Sequence, residues 1–240
     1  IYSAATLLTV FFLMHHIRAR LRSEKELAEQ ATHDIVTRLG NRRSFRHHLE
    51  QLGGEHHVLI LMMIDRFERV VGGLGHEVGD RILVEIAASM KEIADRHQGR
   101  VFRLDGAHFA LIKKLGDEAS DSNQVLSDLK NAMHMPFVQD ANEIFMSLSV
   151  GIAEYPQHGI DPVSLLRNAD AALQSARQGG GGHQMLYSEA LNARSLERLS
   201  LEAHLSHAVE RQELLLYYQP QKSIAEDQLI GFEALLRWKR

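Results

Sequence analysis

Hydrophobic and polar positions follow two different spacings along most of the chain, and the two spacings alternate. Apolar residues three or four apart, together with helix-start signals, predict helices at about 41–52, 77–94 and 121–133 and from Asp161 onwards. Short continuous apolar runs predict strands at 57–64, 100–104, 108–113 and 144–152. Alternating helices and strands are typical of an α/β or α+β domain, here of about 150 residues.

Local signals predict where several of these elements begin and end. Asn41 is a good N-cap for the first helix, and Asp161 with the proline after it combines a cap with a preset φ for the last one. Asp105 and Gly106 between two apolar runs predict a tight hairpin with a type I′ turn. The glycines at 179–182 end the last helix, because glycine is a strong helix terminator.

The N-terminal stretch differs in composition from the rest of the chain. Residues 1–14 carry no charge, and several basic residues follow at once. This order predicts that residues 1–16 are the cytoplasmic end of a transmembrane helix, since basic flanks stay on the cytoplasmic side. A buried helix of a soluble domain is the alternative. Because a full span needs about 20 residues and the chain begins with Ile1 rather than methionine, we expect the natural N-terminus to lie upstream.

Two further helical stretches flank the central domain. Residues 17–33 have apolar residues three and four apart with charges between them, which predicts a juxtamembrane signalling helix that pairs with a second copy of itself. We therefore expect a homodimer. Residues 188–211 combine leucines and charges without glycine or proline, which predicts a linker helix to a C-terminal segment, 212–240.

The C-terminal segment predicts two strands, 213–220 and 229–238, joined by a turn. Because successive side chains of a strand point to opposite faces, Glu233, Leu235 and Arg237 share one face. A carboxylate and a guanidinium on one face suit a metal ion and a phosphate group. The alternative is an ion pair on a solvated face.

Composition narrows the possible functions. The 240 residues are 45% hydrophobic with a formal net charge of -4, which fits a globular protein and gives no basic field for nucleic acid. The chain has no cysteine, so disulfides and thiolate chemistry are excluded. The 15 histidines include adjacent pairs, whose side chains diverge on a helix or a strand, so we interpret them as solvated residues rather than metal ligands.

Several spaced motifs resemble GGDEF domains, the diguanylate cyclases of bacterial second-messenger signalling. The motifs are Thr32–Phe45, Ile64–Phe67, Gly75–Asp80, Arg103–Phe109 and Ala169–Leu173. The resemblance covers residues 34–187 and implies a nucleotide-cyclase-like fold, with a central, mostly antiparallel sheet and flanking helices. Active members condense two GTP molecules and hold Mg²⁺ with two carboxylates.

The sequence departs from the family's pattern at the catalytic positions. The signature stretch consists of Asp105, Gly106, Ala107, His108 and Phe109. Ala107 and Met63 stand where the family has its two metal carboxylates, and neither a methyl group nor a thioether ligates Mg²⁺. Glu68 replaces a phosphate-facing lysine, and Val71 replaces a guanine-contacting asparagine. The resemblance therefore implies a degenerate GGDEF domain without cyclase activity or a metal cofactor.

Other positions of the family's nucleotide sites are partly retained. The residual nucleotide-site positions are Asp65, Asp80 and Arg177. Glycines at 181–182 replace a basic Arg-Asn pair. The family's product-inhibition motif, Arg-x-x-Asp, lacks its aspartate because Gly99 stands three residues after Arg96. We interpret Asp105-Gly106 as a hairpin turn rather than a residual site.

The C-terminal segment resembles the opening of EAL domains, the phosphodiesterases that cut cyclic di-GMP. The matching residues are Tyr218–Pro220 and Gly231–Trp238, which include the name motif Glu-Ala-Leu. The resemblance implies that Glu233 is a catalytic ligand of Mg²⁺ or Mn²⁺. It also implies that Gln219, Leu235 and Arg237 bind the substrate. An EAL domain is a TIM-like barrel, of which 212–240 would form only the first two strands, so we expect a longer intact protein.

These features together predict a bacterial GGDEF–EAL protein of cyclic di-GMP signalling. We expect it in the inner membrane, with both domains in the cytoplasm. The GGDEF domain would regulate an EAL domain that, in the intact protein, hydrolyses cyclic di-GMP to linear pGpG. The alternative is a non-catalytic cyclic di-GMP receptor or scaffold. The expected partners are cyclic di-GMP, the membrane and a second copy of the chain, with no nucleic acid.

Overall fold

The computed structural model describes residues 11–17, 20, 31–116, 120–133, 136–139, 142–178 and 180–239. The chain divides into two compact units, Ile1–Ser188 and Glu189–Arg240. In the described ranges, no helix combines the length and the apolar character needed to cross a membrane. Residues 11–17 are helical, and most of the predicted transmembrane segment, 1–16, and of the predicted juxtamembrane helix, 17–33, lies outside the described residues.

Helices and strands alternate in the first unit. Its helices are α1 (Arg42–Glu50), α2 (Phe67–Leu74), α3 (His76–Arg96), α4 (Ser120–Ala132) and α5 (Pro162–Gln178). Its strands are β1 (His57–Ile64), β2 (Gly99–Asp105), β3 (His108–Lys114), β4 (Phe137–Gln139), β5 (Asn142–Ile144), β6 (Leu148–Tyr155) and β7 (Gln184–Leu186). The second unit consists of α6 (Glu189–Ala208), β8 (Leu214–Lys222) and β9 (Leu229–Trp238).

Five strands form the central sheet of the first unit, in the order β2-β3-β1-β6-β7. The pairs β2–β3, β3–β1 and β1–β6 are antiparallel, and β6–β7 is parallel. Strands β4 and β5 form a separate antiparallel pair. The sheet is therefore mixed but mostly antiparallel, and the α/β fold with flanking helices that the resemblance implied is confirmed for this unit.

Strand β1 lies at the centre of the sheet and is buried on both faces. Its alternate residues Val58, Ile60 and Met62 belong to one apolar cluster that also contains side chains of α3 and α4. The α3 members of this cluster are Ile82, Leu83, Ile86, Ala87, Met90, Ile93 and Ala94. Full burial of one large aliphatic side chain stabilises a fold by about 1.5 to 3 kcal/mol, so this cluster is the main source of stability on that face.

Helix α5 covers β6 at very close range. A Cβ atom at Gly151 of β6 would lie 2.2 Å from the backbone nitrogen of Leu173 and 2.4 Å from the carbonyl oxygen of Ala169. Only glycine fits at this position, because real Cβ atoms do not approach backbone atoms so closely. Leu165, Ala169 and Leu173 are correspondingly buried on the inner side of α5.

Most predicted elements lie where the sequence pattern places them. Strand β1 has the predicted bounds, and the side chain of Asn41 accepts a hydrogen bond from the amide of Ser44 as an N-cap. The single predicted strand at 144–152 is wrong, because β5 ends at Ile144 and β6 begins at Leu148. The sequence does not predict α2, since two adjacent glycines in it disfavour a helix.

In the second unit, β8 and β9 form an antiparallel pair. The amide of Glu213 donates to the carbonyl of Ala208 at the end of α6 over 2.9 Å. The carbonyl of Glu213 accepts from the amide of Lys239 over 2.8 Å, and its carboxylate accepts from the indole N–H of Trp238 over 3.0 Å. Glu213 therefore joins the helix end to both strands.

Candidate functional site

The signature residues form the tip of the hairpin between β2 and β3. Asp105 and His108 face each other at the last position of the ladder, so Gly106 and Ala107 are the two central residues of the turn. Gly106 has a φ of +43°, whereas Ala107 has an ordinary negative φ. The predicted type I′ turn is therefore wrong, because that turn needs positive φ at both central residues.

The charged side chains at the hairpin tip contact each other and α1. Asp105 forms an ion pair with Arg42 of α1, and its other oxygen lies 3.4 Å from Nδ1 of His108. Phe109 is fully buried in the core. The signature stretch thus anchors a turn to a neighbouring helix and to the core, which agrees with its interpretation as a hairpin.

Arg103 joins the hairpin tip to the turn that precedes α1. Its Nη1 donates to Oδ1 of Asp34 over 2.8 Å, and its Nε and Nη2 donate to the carbonyl of Gly106 over 3.0 and 2.8 Å. Asp34 also accepts from the amide and the hydroxyl of Thr37. Burial raises the pKa of Asp34, but these hydrogen bonds outweigh burial and bring the pKa below its usual value. Sequence reasoning misses this pair, because no local pattern links residues 69 positions apart.

Strand β1 ends beside the hairpin tip. Met63 is paired with His108 of β3 on one side and with Ser149 of β6 on the other. The amide of Ile64 donates to the carbonyl of Ala107 over 3.1 Å. Met63 and Ala107 are therefore close along the same end of the sheet, and they bring a thioether and a methyl group there rather than two carboxylates.

Asp65, a predicted nucleotide-site residue, is buried and bonded within the fold. Its carboxylate accepts from the hydroxyls of Ser147 and Ser149, both over 2.7 Å, and from the amide of Gly182 over 2.8 Å. These three hydrogen bonds use both carboxylate oxygens. Asp65 therefore links the end of β1 to the start of β6 and to the loop after α5.

The loop after α5 depends on its glycines. Gly180, Gly181 and Gly182 have φ values of +103°, +89° and +72°. A Cβ atom at Gly181 would lie 2.7 Å from Oδ2 of Asp65, so a side chain there would require Asp65 or the loop to move. Arg177, the remaining basic residue predicted for the phosphate side, is exposed in the last turn of α5.

Helices α2 and α3 contain the positions that, by the resemblance, would contact the guanine base and the phosphates of GTP. Glu68 and Asp80 are exposed on these helices. The side chain of Val71 lies against Gly79, where an added Cβ would be 2.8 Å from Cγ2 of Val71. An apolar contact thus stands where the family has a guanine-contacting amide, whereas Asp80, the other predicted position on these helices, keeps its carboxylate.

Arg96, the retained arginine of the product-inhibition motif, is paired within the domain. Its Nη2 lies 3.0 Å from Glu92, and its Nη1 lies 3.0 Å from Oδ2 of Asp128 on α4. Nε2 of His97 contacts the same oxygen over 2.9 Å. The hydrogen bond from His97, followed by the charge of Arg96, holds the pKa of Asp128 below its usual value.

The second unit brings its predicted site residues together on one face of the β8–β9 pair. Gln219 lies directly opposite Glu233, and the positions of Leu235 and Arg237 follow on the same face. The predicted shared face of Glu233, Leu235 and Arg237 is confirmed by this register. Within the part of the chain that the structure describes, the side chains of Gln219, Glu233 and Arg237 make no hydrogen bond or ion pair. The other face is apolar and exposed, with Leu216, Tyr218, Phe232 and Leu236.

The predicted site residues include few side chains that could bind a divalent cation. Across the described ranges, no group of three or more histidine, aspartate or glutamate side chains is placed to hold a metal ion. Met63 and Ala107 do not fit Mg²⁺, which takes oxygen ligands. Glu233 suits such an ion chemically, but a single carboxylate does not form a metal site on its own.

Comparison with known proteins agrees with this fold. The family model for the diguanylate cyclase GGDEF domain matches residues 31–183. The solved GGDEF domain of YfiN from Pseudomonas aeruginosa superposes with a TM-score of 0.63 at 29% identity, covering 69% of this chain and 99% of that one. The chain belongs to the GGDEF-domain family.

Two curated relatives extend the similarity beyond that domain. The bifunctional diguanylate cyclase/cyclic di-GMP phosphodiesterase MucR of Pseudomonas aeruginosa is 33% identical over 224 residues, which are 91% of this chain and 32% of MucR. The cyclic di-GMP phosphodiesterase PdeR of Escherichia coli is 28% identical over 222 residues, 91% of this chain and 33% of PdeR. The chain therefore spans about a third of the length of these relatives, and both alignments are longer than the matched segment 31–183.

Proposed function

We propose that the chain is part of a membrane-anchored cyclic di-GMP signalling protein. Its GGDEF domain is catalytically inactive and regulates an EAL domain, whose first two strands are β8 and β9. In the intact protein that EAL domain hydrolyses cyclic di-GMP to pGpG with Mg²⁺ or Mn²⁺. Residues 1–16 form the end of a transmembrane anchor, and residues 17–33 pair two copies of the protein on the cytoplasmic side of the inner membrane.

The main observation in favour of an inactive GGDEF domain is the pair of apolar side chains at the catalytic end of the sheet. Met63 and Ala107 occupy the two positions at which the family holds Mg²⁺, and neither supplies an oxygen ligand. Asp65, two residues after Met63, is already bonded to two serine hydroxyls and an amide. Glu68 adds a negative charge on the phosphate side, which disfavours a triphosphate by about 1 to 4 kcal/mol at 4 Å.

Three observations support the EAL assignment of the second unit. The curated relatives named as phosphodiesterases align with this chain beyond residue 183. Gln219, Glu233 and Arg237 lie on one face of β8–β9 without internal partners among the described residues. The opposite face of the strand pair is apolar, as a strand pair covered by other elements of a larger domain requires.

Incubation of the chain with GTP and Mg²⁺ or Mn²⁺ tests the inactivity, with the products separated by chromatography. We expect no cyclic di-GMP, while an active diguanylate cyclase treated in parallel produces it. Formation of cyclic di-GMP that stops when EDTA is added would contradict the proposal. Equilibrium dialysis with GTP gives a second measurement, for which we expect no saturable binding.

The phosphodiesterase part is tested on the intact protein with cyclic di-GMP and Mg²⁺, by measuring the linear dinucleotide. We expect turnover that disappears in Glu233→Ala and persists in Glu226→Ala, an exposed acid in the β8–β9 turn. Absence of turnover with retained binding of cyclic di-GMP would instead support the non-catalytic receptor. Absence of both turnover and binding of cyclic di-GMP would support a scaffold protein.

The membrane anchor and the homodimer are tested together by cysteine cross-linking, for which residues 1–240 contain no native cysteine. A single Leu21→Cys substitution in the membrane-bound intact protein should give a cross-linked dimer under oxidation. Ser200→Cys, which places a cysteine in α6 instead, is the variant used for comparison. Recovery of the protein in the soluble fraction, or absence of a cross-linked dimer from membranes, would contradict this part of the proposal.

A further inference from the structure

A cavity of about 350 Å³ opens between α1, the hairpin tip and α5. Phe45, Leu104 and Leu166 supply its apolar part. Its volume lies in the range of small-molecule sites, about 300 to 1,000 Å³, which combine an apolar lining with a few converging polar groups. None of the predicted nucleotide-site residues, Asp65, Asp80 and Arg177, lines this cavity.

An acid without a donor faces the cavity. Asp170 of α5 is partly buried, and its carboxylate makes no hydrogen bond or ion pair within the described part of the chain. Burial raises the pKa of Asp170, and the charges of His108 and Arg42 offset only part of this effect. A partly buried carboxylate without a donor destabilises the fold, so a ligand that donates hydrogen bonds to it gains free energy.

Of the two arginines that line the cavity, one has an ion-pair partner and the other has none among the described residues. Arg42 is paired with Asp105, so its side chain already has an anionic partner. Arg46, one turn further along α1, also lines the cavity and is exposed, and it has no ion pair with any residue that the structure describes. Arg46 and Asp170 do not pair with each other. Within the described part of the chain, Arg46 and Asp170 therefore remain without a hydrogen-bonded partner at separate positions around the apolar lining. His108 and Arg42 offset only part of the effect of burial on the pKa of Asp170.

We propose that this cavity binds a small zwitterion with an apolar body, the chemistry of an apolar or aromatic α-amino acid. The ammonium group donates to Asp170, the carboxylate accepts from Arg46, and the side chain covers Phe45 and its apolar neighbours. A dianion such as a free phosphate would be repelled by Asp170, and a simple amine would leave Arg46 unpaired. The ligand would contact the hairpin tip and α5 together, so that its binding is an input to the GGDEF domain.

Isothermal titration of the 240-residue chain with L-phenylalanine tests this inference. We expect saturable binding with a Kd of about 1 mM or lower. Phenethylamine lacks the carboxylate and 3-phenylpropionate lacks the ammonium group, so each should bind at least about tenfold more weakly, a factor that corresponds to one lost charged contact. Asp170→Asn and Arg46→Gln should each weaken the binding of L-phenylalanine by a similar factor.

Matched controls are Asp95→Asn and Arg81→Gln, which change exposed residues of the same charge on α3 and should leave binding unchanged. Arg46 is exposed, so its substitution keeps the fold, which far-UV circular dichroism verifies. Absence of saturable binding at about ten times the expected Kd would overturn the proposal. Equal binding by wild type, Asp170→Asn and Arg46→Gln would also overturn it, as would Arg46-dependent binding of inorganic phosphate without binding of L-phenylalanine.

Discussion

The β2–β3 and β8–β9 hairpins use their polar residues in opposite ways. At the β2–β3 tip and the adjacent end of β1, Asp105 and Asp65 are bonded to neighbouring elements of the same unit. On β8–β9, the side chains of Gln219, Glu233 and Arg237 share a face and have no such partners among the described residues. An acid whose lone pairs serve the fold has few left for a ligand. The presence of an aspartate at a family position therefore says less about chemistry than the identity of its hydrogen-bond donors.

The largest contrast is expected from one substitution in each unit, Gly151→Val and Gly231→Val. At Gly151 any Cβ meets backbone atoms of α5 at 2.2 to 2.7 Å, whereas at Gly231 nothing lies within 4 Å. We expect Gly151→Val to destabilise the first unit by at least about 3 kcal/mol and Gly231→Val to change stability by less than about 1 kcal/mol. Urea unfolding followed by far-UV circular dichroism measures both, and equal effects would remove the contrast.

A second pair compares an acid bonded within the fold with one that is not. Asp65→Ala leaves two serine hydroxyls and the amide of Gly182 without their acceptor, so we expect a loss of about 2 to 4 kcal/mol in the free energy of unfolding. Glu233→Ala removes a carboxylate without partners, and we expect a change within about 0.5 kcal/mol. If both variants unfold at the same urea concentration as the wild type, Asp65 is not the structural link described above.

The ion pair of Arg103 and Asp34 gives a further test, because the stability that it contributes to the first unit should depend on pH. The folded-state pKa of Asp34 is below its ordinary value, so its contribution to stability is present above that ordinary value and is lost as the pH falls through the folded pKa. We expect Asp34→Asn to cost about 2 kcal/mol near pH 7, because the pair is largely buried. The difference from the wild type should shrink as the pH falls through the folded pKa of Asp34, and a difference that does not change with pH would refute the assignment.

The smallest effect is expected at Asp170. Because burial raises its pKa in the folded state, ionisation of Asp170 opposes folding as the pH rises through that pKa. Asp170→Asn should therefore slightly stabilise the chain at pH 7, and this gain should fade as the pH falls through the folded pKa of Asp170. Thermal unfolding at several pH values measures it, with Asp95→Asn as a control that should give no gain. Destabilisation at pH 7 would mean that the carboxylate has a donor after all.

Local patterns were sufficient for most of the fold and for part of the candidate site. The bounds of β1 and the cap at Asn41 follow from residues within a few positions of each other, and so does the shared face of Glu233 and Arg237. The pairing of Asp34 with Arg103 depends on how the sheet edge meets the turn before α1, which no local window contains. The break between β5 and β6 has a different cause, because the hydrophobic run continues through residues 145–146 while the strand hydrogen bonding does not.

The turn between β8 and β9 determines more than the direction of the chain. The amide of Ser223 donates to the carbonyl of Gln228 over 2.8 Å, and the amide of Asp227 donates to the carbonyl of Ser223 over 3.0 Å. This turn sets the register in which Gln219 faces Glu233. A slip of one residue would move Glu233 to the apolar face without changing either strand's sequence. The length of this loop therefore decides whether Glu233 lies on the same face as Gln219, so inserting or deleting one residue in the loop has the effect of displacing the carboxylate.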